Sequence, residues 1–386
     1  MNKIILSCDV LVVGGGISGI CAAVSASRCA ATTILIEQNN YPGGLALDCQ
    51  HQHICGLYPK NSGIAAEIIL GLKKLNPNNR FIRLGKLSVF YFQPKDLKTI
   101  LNKLIRKEKN LKVFYNSRAI GVKSQKGRIT CVKVNTGRPN LNRKLHLIPK
   151  TVIDATGEGA IIKLSGAKHQ VTPLKSRQLA GFTFEVTDLK DNSGILAVKV
   201  PYFLALAVKQ KKLPLYFKFT NFTYGQTKKS GTLKLNLPAY YACQKKQNTK
   251  KHADLALTYL RKTLPEFKNS RIRRISGNIH QRQSLRLSGE HTLTEQEVLT
   301  AGKFPDSLAK GYWPIEFWDP KNGQKIKYLK TGQFYEIPAG CIKSKNIKNL
   351  LAIGKCISAA PRAQASSRVM GTCIYLGEAA GKAAKR

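Results

Sequence analysis

The chain has 386 residues, 43% of them hydrophobic, with ten cysteines and a formal net charge of +43. Such a chain buries a large core and divides more naturally into two domains than one. The charge suits a nucleic-acid or anionic-membrane partner. Lysine outnumbers arginine by more than two to one, however, and the lysines are scattered. A dedicated nucleic-acid surface gathers arginines and aromatics into a stripe. The excess is read as a solvated basic surface, with a polyanionic partner left open. Irregularly spaced cysteines without a secretory signal point to reduced thiols and a cytoplasmic location.

Residues 4–26 are mostly apolar, but Asp9 and the glycines at 14–16 interrupt the run. That excludes a signal h-region or a membrane span, and no transmembrane segment is expected elsewhere. Val10–Val13 form a short β-branched strand, followed at once by Gly14-x-Gly16-x-x-Gly19 and by ICAAVSASRCAA, a helix of small residues. The glycines allow a tight turn, close approach of a pyrophosphate to the backbone, and close packing of helix on strand. The phosphates then meet the positive end of the helix. TTILIE forms a second strand ending in Glu37, eighteen residues past Gly19, where a carboxylate accepts ribose hydroxyls. This order of elements defines a dinucleotide site.

Residues 46–59, ALDCQHQHICGLYP, place Cys49, His51, His53 and Cys55 at alternate positions. If the segment is extended, a rise of ~3.3 Å per residue sets Cys49 and Cys55 about 20 Å apart. Ligands at ~2.0–2.3 Å from one ion cannot span that distance, so no metal site is expected. Further on, 94–109 reads as an amphipathic helix, and NLKVFYN and ITCVKVNT as strands around Gly127. TVIDATGEG (151–159) and IKNLLAIGKCIS (347–358) are strands running into glycine turns. SSRVMGTCIYLGEAAGKAA is one helix with a small-residue face. Between them, AGFTFEVTD reads as a strand and 249–263 as a helix, while Thr294 with Glu297 makes a capping box. A nicotinamide site needs no such distant second half, whereas a large flavin does. Only one GxGxxG occurs, so the flavin's electron acceptor is unknown and comes from elsewhere.

VVGGGISG (12–19), Glu37, YPGG (41–44), VIDATGEG (152–159), RQSLRLSGEHTLTEQEV (282–298) and NLLAIGKCISAAPRAQASSRVMGTC (349–373) together resemble a known group. It is the FAD-dependent oxidoreductase family of the glutathione-reductase-like flavoprotein superfamily, related to the flavin subunit of heterodisulfide reductase. The resemblance covers nearly the whole chain. It implies an α/β fold: a Rossmann-like FAD-binding domain, a parallel sheet with helices on both faces, from 1–170 and 335–386. A mixed α+β substrate or cap domain would fill 171–334. It further implies that FAD is held by Gly14, Gly16, Ile17, Ser18, Gly19, Glu37, Gln38, Gly43, Gly44, Leu45, Ala155, Thr156, Gly157, Gly354, Arg368, Met370 and Gly371.

The same resemblance runs the segment after Gly43–Gly44 beside the flavin ring. His51, His53 and Cys55 then have three readings: plain packing, acid–base or substrate contact, or covalent flavin attachment, which some superfamily members make in this region. Arg282 and Arg286 fall in the stretch that lines the substrate side, where a guanidinium fork can hold a carboxylate. Pro361-Arg362 departs from the His or acidic residue often carried there. Arg368, Met370 and Gly371 open the last helix, whose N-terminus stabilises negative charge on the reduced flavin. The implied activity is hydride transfer from a small organic substrate to FAD, with His53 as base. An RNA-modifying flavoprotein and a non-catalytic flavin subunit of an electron-transfer complex are the alternatives.

Overall fold

The computed structural model describes residues 4–49, 51–137, 143–191, 193–225, 227–244 and 248–385. Its main sheet is built around the strand Ile4–Val13, whose Val10–Val13 end is buried on both faces. That strand pairs in parallel with Thr33–Ile36 and with Arg143–Asp154, and Leu111–Phe114 continues the parallel set beyond Thr33–Ile36. The helices Ile17–Arg28, Gly63–Leu75 and Pro94–Lys107 fill the crossovers, as parallel pairing requires.

Arg143–Asp154 has a divided outer edge. Its first half pairs antiparallel with Arg128–Thr136, and its last three residues pair in parallel with Leu350–Ala352. Asn349 fills the junction: its amide nitrogen donates to the carbonyls of Ile129 and Lys150, both at 2.9 Å, and its Oδ1 accepts from Ile129 N at 2.8 Å. Arg128–Thr136 forms a hairpin with Ser117–Gln125 through Lys126-Gly127, both at positive φ, as a tight two-residue turn demands. The strand before Gly127 is therefore Ser117–Gln125 and not the expected NLKVFYN, which supplies the edge strand Leu111–Phe114 instead.

The C-terminal segment is two helices rather than one. Pro361–Ser367 ends at Arg368, Val369 is extended, and Met370–Ala383 begins anew. Gly371 lies where the chain at Cys55–Gly56 crosses, and a Cβ on Gly371 would stand 2.6 Å from Gly56. That crossing occupies the break. Lower down, Cβ atoms on Gly377 and Gly381 would stand 2.3 Å from the carbonyl oxygens of Ser18 and Ala22. The small-residue face thus lets the last helix lie directly on Ile17–Arg28.

A second sheet is antiparallel, in the order Asn221–Tyr224, Ser230–Leu237, Ala180–Thr187, Arg271–Ile275. Strand side chains alternate between faces. Phe182, Phe184, Val186, Leu233, Leu235 and Leu237 enter a core shared with the helices Leu196–Lys209 and Thr249–Thr263. Gly181, Thr183, Glu185, Thr232, Lys234 and Asn236 take the other face. Among the described residues this core draws only on 180–279, while Leu293, Val298, Ile315, Phe317 and Ile337 join the cluster around Ile20 and Leu35. Thr294 caps the short helix Glu295–Leu299, and Glu297 completes the capping box.

Candidate functional site

Three strand ends, at Val13, Asp154 and Ala352, meet the start of the helix Ile17–Arg28. Gly14 has φ 105°, and a Cβ there would stand 2.6 Å from Ala155 O. Gly16 is different, because no atom lies within 4 Å of the position its Cβ would take. It is the N-cap of the helix and no side chain caps it, so the first-turn amides of Ile17, Ser18 and Gly19 have no intrahelical partner. Ser18 Oγ is buried there without a hydrogen bond.

Glu37 ends the second strand and is buried, with Oε2 accepting from Gly15 N at 2.6 Å and Oε1 from Asn39 N at 2.8 Å. Burial raises its carboxyl above the usual range against those amide bonds. Gln38 beside it is exposed. Gly43 donates to Gly15 O at 2.8 Å, and Gly44 has φ 48° with its Cβ position 3.1 Å from Gly16 Cα. The turn leading to Leu45 is thereby pressed against the glycine loop. On the other side Ala155 donates to Val13 O at 2.8 Å, and Thr156 donates through N and Oγ1 to the buried Asp154. Gly157 and Gly354 take positive φ at their turns, Gly354 beside Ser18. An open-faced glycine at an uncapped helix start, an acidic strand end and two further strand-to-glycine turns suit the pyrophosphate and ribose of FAD.

The segment expected beside the ring is a helical turn, Leu45–Asp48, followed by the two-residue strand His53–Ile54, not one extended run. Among the described residues no group of three or more His, Cys, Asp or Glu is placed to hold a metal ion. Cys49 and Cys55 are free thiols, both pushed up to about 12, chiefly by burial. His53 is half-buried with its ring 5.8 Å from that of Tyr91. His51 keeps an exposed surface although protein surrounds it. Burial first, then the positive Lys234, lowers both imidazoles below their ordinary range. Gly371 N donates to Cys55 O at 2.8 Å, which uses one amide of the last helix's first turn. Met370 packs partly on the main core.

The polar face of the second sheet lies against this segment, since Thr183 Oγ1 donates to Cys49 O at 3.3 Å. Lys234, the cross-strand partner of Thr183, leaves the sheet on the same face. Arg282 donates to Leu179 O and, at 2.6 Å, to Asn236 Oδ1, with its guanidinium 4.6 Å from the Trp318 ring. Lys234 Nζ is 5.7 Å from the same ring and has no hydrogen bond or ion pair with the described residues. Arg368 donates to Gln178 Oε1 at 3.3 Å, and its buried Nε has no partner. Glu316 accepts from the indoles of Trp313 and Trp318 and from Gln324. Burial, then Arg282, pulls Lys234 down to about 8, and burial, then Arg368, pulls Arg282 down to about 9. Burial works to raise Glu316, but Arg368 and Lys234 hold it below the usual carboxylate range.

Arg282 and Arg368 thus share one site with His51 and His53. Arg286 does not: it pairs across strands with Gln170, donates to Thr172 Oγ1 at 2.7 Å and is only 3% exposed. Arg362 pairs with Glu295 at 3.5 Å and lies 5.1 Å from the Phe317 ring. Sequence reading missed Lys234, Glu316, Trp318 and Gln178. The alternation of LKLNL, with Lys234 and Asn236 between leucines, was the available signal for a strand with one polar face.

These elements define a flavin-binding α/β enzyme whose second sheet turns its polar face toward the segment 49–55. The chain belongs to the FAD-dependent oxidoreductase family, whose pattern it matches over residues 9–386; its cofactor is FAD, and it is an oxidoreductase. Among curated proteins no match to the sequence is found. It is similar in structure to a geranylgeranyl bacteriochlorophyll reductase-like protein from Thermoplasma acidophilum, at 12% identity over 99% of this chain and 78% of that one, TM-score 0.49. It is also similar to the OxyS anhydrotetracycline hydroxylase from Streptomyces rimosus, at 10% identity over 74% of this chain and 55% of that one, TM-score 0.49. A triple mutant of the flavin-dependent brominase Bmp2 matches at 13% identity over 98% of this chain and 80% of that one, TM-score 0.48. The assignment rests on the family match, not on these distant likenesses. Among the described residues no helix is long and apolar enough to cross a membrane.

Proposed function

We propose that the protein oxidises a small organic substrate in the cleft between the second sheet and the segment 49–55. Bound FAD supplies a two-electron acceptor for a hydride from a substrate C–H bond. His53, kept neutral by burial and by Lys234, takes the proton released from the adjoining O–H or N–H group. The observation that carries this reading is the Thr183–Cys49 hydrogen bond at 3.3 Å, which closes a polar sheet face over the histidine-bearing segment. The proposal includes the division into an FAD-binding domain, expected at 1–170 with 335–386, and a cap, expected at 171–334, with the packing of Leu293, Val298, Ile315 and Phe317 on the main core drawing the cap's end back toward 279. It also includes kinship with the flavin subunit of heterodisulfide reductase, which rests on the stretches 282–298 and 349–373.

Anaerobic mixing of the yellow protein with panels of alcohols, amines, amino acids and organic acids tests the reaction. One class should bleach the flavin, and His53→Gln should slow bleaching about 10²-fold or more while retaining FAD. A panel in which nothing bleaches the flavin overturns the reading.

A further inference from the structure

Where the second sheet's polar face meets the segment 49–55, the surrounding side chains carry more positive than negative charge. Lys234, Arg282 and Arg368 interact with one another and with Glu316 as the neighbouring carboxylate. Glu316 gives its oxygens to two indoles and an amide, and it makes no ion pair within 4 Å among the described residues. Along the same sheet face, Glu185 stands opposite Arg274, so that position adds one charge of each sign. Enclosed cations without direct counter-charges are costly, and apolar side chains of similar volume would usually serve packing better. Here the cations are instead held in place: Arg282 by Leu179 O, Asn236 and the Trp318 ring, Arg368 by Gln178.

Resting on the proposed reaction, we infer that the substrate is a small organic acid whose carboxylate binds to Lys234 and Arg368 beside Trp318, so that Arg368, expected on the flavin, serves the substrate instead. The donors decide the class of anion. Arg282 has already given one N–H from each terminal nitrogen to the protein, so it sets the field and the shape rather than the grip. Arg368 has given only one, and Lys234 has given none. Arg368 reaches the neighbourhood of Trp318 through Gln178 Oε1, which also accepts from Trp318 N at 3.2 Å, and an ammonium together with a guanidinium suits a flat carboxylate. A tetrahedral phosphate is better served by convergent backbone amides, and those lie at the glycine loop. Lys234 is therefore a specificity-determining residue, reaching down from the sheet onto the substrate.

The test titrates the FAD-loaded protein with succinate and benzoate, and in parallel with succinamide, benzamide and inorganic phosphate. The flavin spectrum and the heat of binding are recorded together. At least one acid should bind about tenfold or more tightly than its amide and than phosphate. Lys234→Met should weaken it about tenfold or more, and Lys234→Arg should stay within about threefold of wild type. FAD content should be equal in all three proteins. Equal binding of acid and amide, no binding of either acid, preference for phosphate, or unchanged binding by Lys234→Met each overturns the inference. So does a Lys234→Met protein that loses FAD but still binds the acids, because the ammonium would then serve the flavin. Failure of every compound to bleach the flavin sinks the proposed reaction alone, since carboxylate binding is read independently by heat.

Discussion

Gly19 lies so close to Gly14 that a Cβ on Gly19 would stand 1.9 Å from the Gly14 carbonyl oxygen, whereas Gly16, in the same motif, has open space where its Cβ would be. The two glycines therefore do different work. Gly19→Ala should cost about 1–3 kcal/mol of stability, as overpacking typically does, and should lower the thermal midpoint even without cofactor. Gly16→Val should melt close to the wild-type apoprotein yet emerge colourless, because its side chain would fill the face that the pyrophosphate approaches. Apoprotein melting and FAD content measured side by side check both; a yellow Gly16→Val protein refutes the cradle.

Carboxylate affinity should depend on pH through Lys234. Burial and Arg282 set this ammonium at about 8, with Arg368, Glu316 and Cys49 the other groups facing it. Below that pH the lysine is charged and affinity is flat. Above it the cation is lost and affinity falls toward that of Lys234→Met. Dissociation constants for the best-binding acid across the neutral and alkaline range test this, and Lys234→Arg should abolish the break near pH 8.

Arg282 and Arg286 should separate cleanly. Arg282→Lys removes the fork that joins Leu179 O to Asn236 and leaves buried acceptors unpaired, at a cost of about 1–3 kcal/mol. It should also weaken acid binding. Arg286→Lys disturbs the contact with Thr172, away from the cleft, and should leave the rate of flavin reduction unchanged. Rapid-mixing kinetics and thermal melts of both variants decide; slowed reduction in Arg286→Lys would bring that residue back to the substrate.

Acid precipitation should release all of the flavin into the supernatant. Cys55 is a poor nucleophile for attachment, because burial pushes its thiol up to about 12 and leaves little thiolate near neutral pH. Flavin found in the pellet would contradict this expectation, and substitution of His51, His53 and Cys55 in turn would locate the bond.

What the sequence made legible was local. The tight turn at Gly14 and the uncapped helix start at Gly16 follow from adjacent residues, the Thr294–Glu297 capping box is complete within one helical turn, and the helix Thr249–Thr263 appears at its expected bounds. What it hid was imposed from a distance. The break at Arg368–Val369 accommodates Cys55–Gly56 crossing from elsewhere in the chain, and Gly371, two residues on, admits that crossing without announcing it locally. Ser117–Gln125 escaped notice because Arg118, Ile120 and Lys123 are exposed along a weakly patterned edge strand. Lys234 is one lysine among many until the fold sets it beside Arg282 and the Trp318 ring. Arg286 carried the same local pattern as Arg282, and only tertiary packing assigned them to different places.

The divided edge of Arg143–Asp154 also gives translation an awkward interval. Val152–Asp154 leave the ribosome about half a chain before Leu350–Ala352, the strand that covers them. At about 5–20 residues per second, that exposure lasts roughly ten to forty seconds. Throughout it, a nascent chain carries three unpaired backbone positions on a raw β-edge, the kind of surface that recruits other strands. Messages truncated before Asn349 would never close it, and their products should be the ones that chaperones retain and inclusion bodies collect.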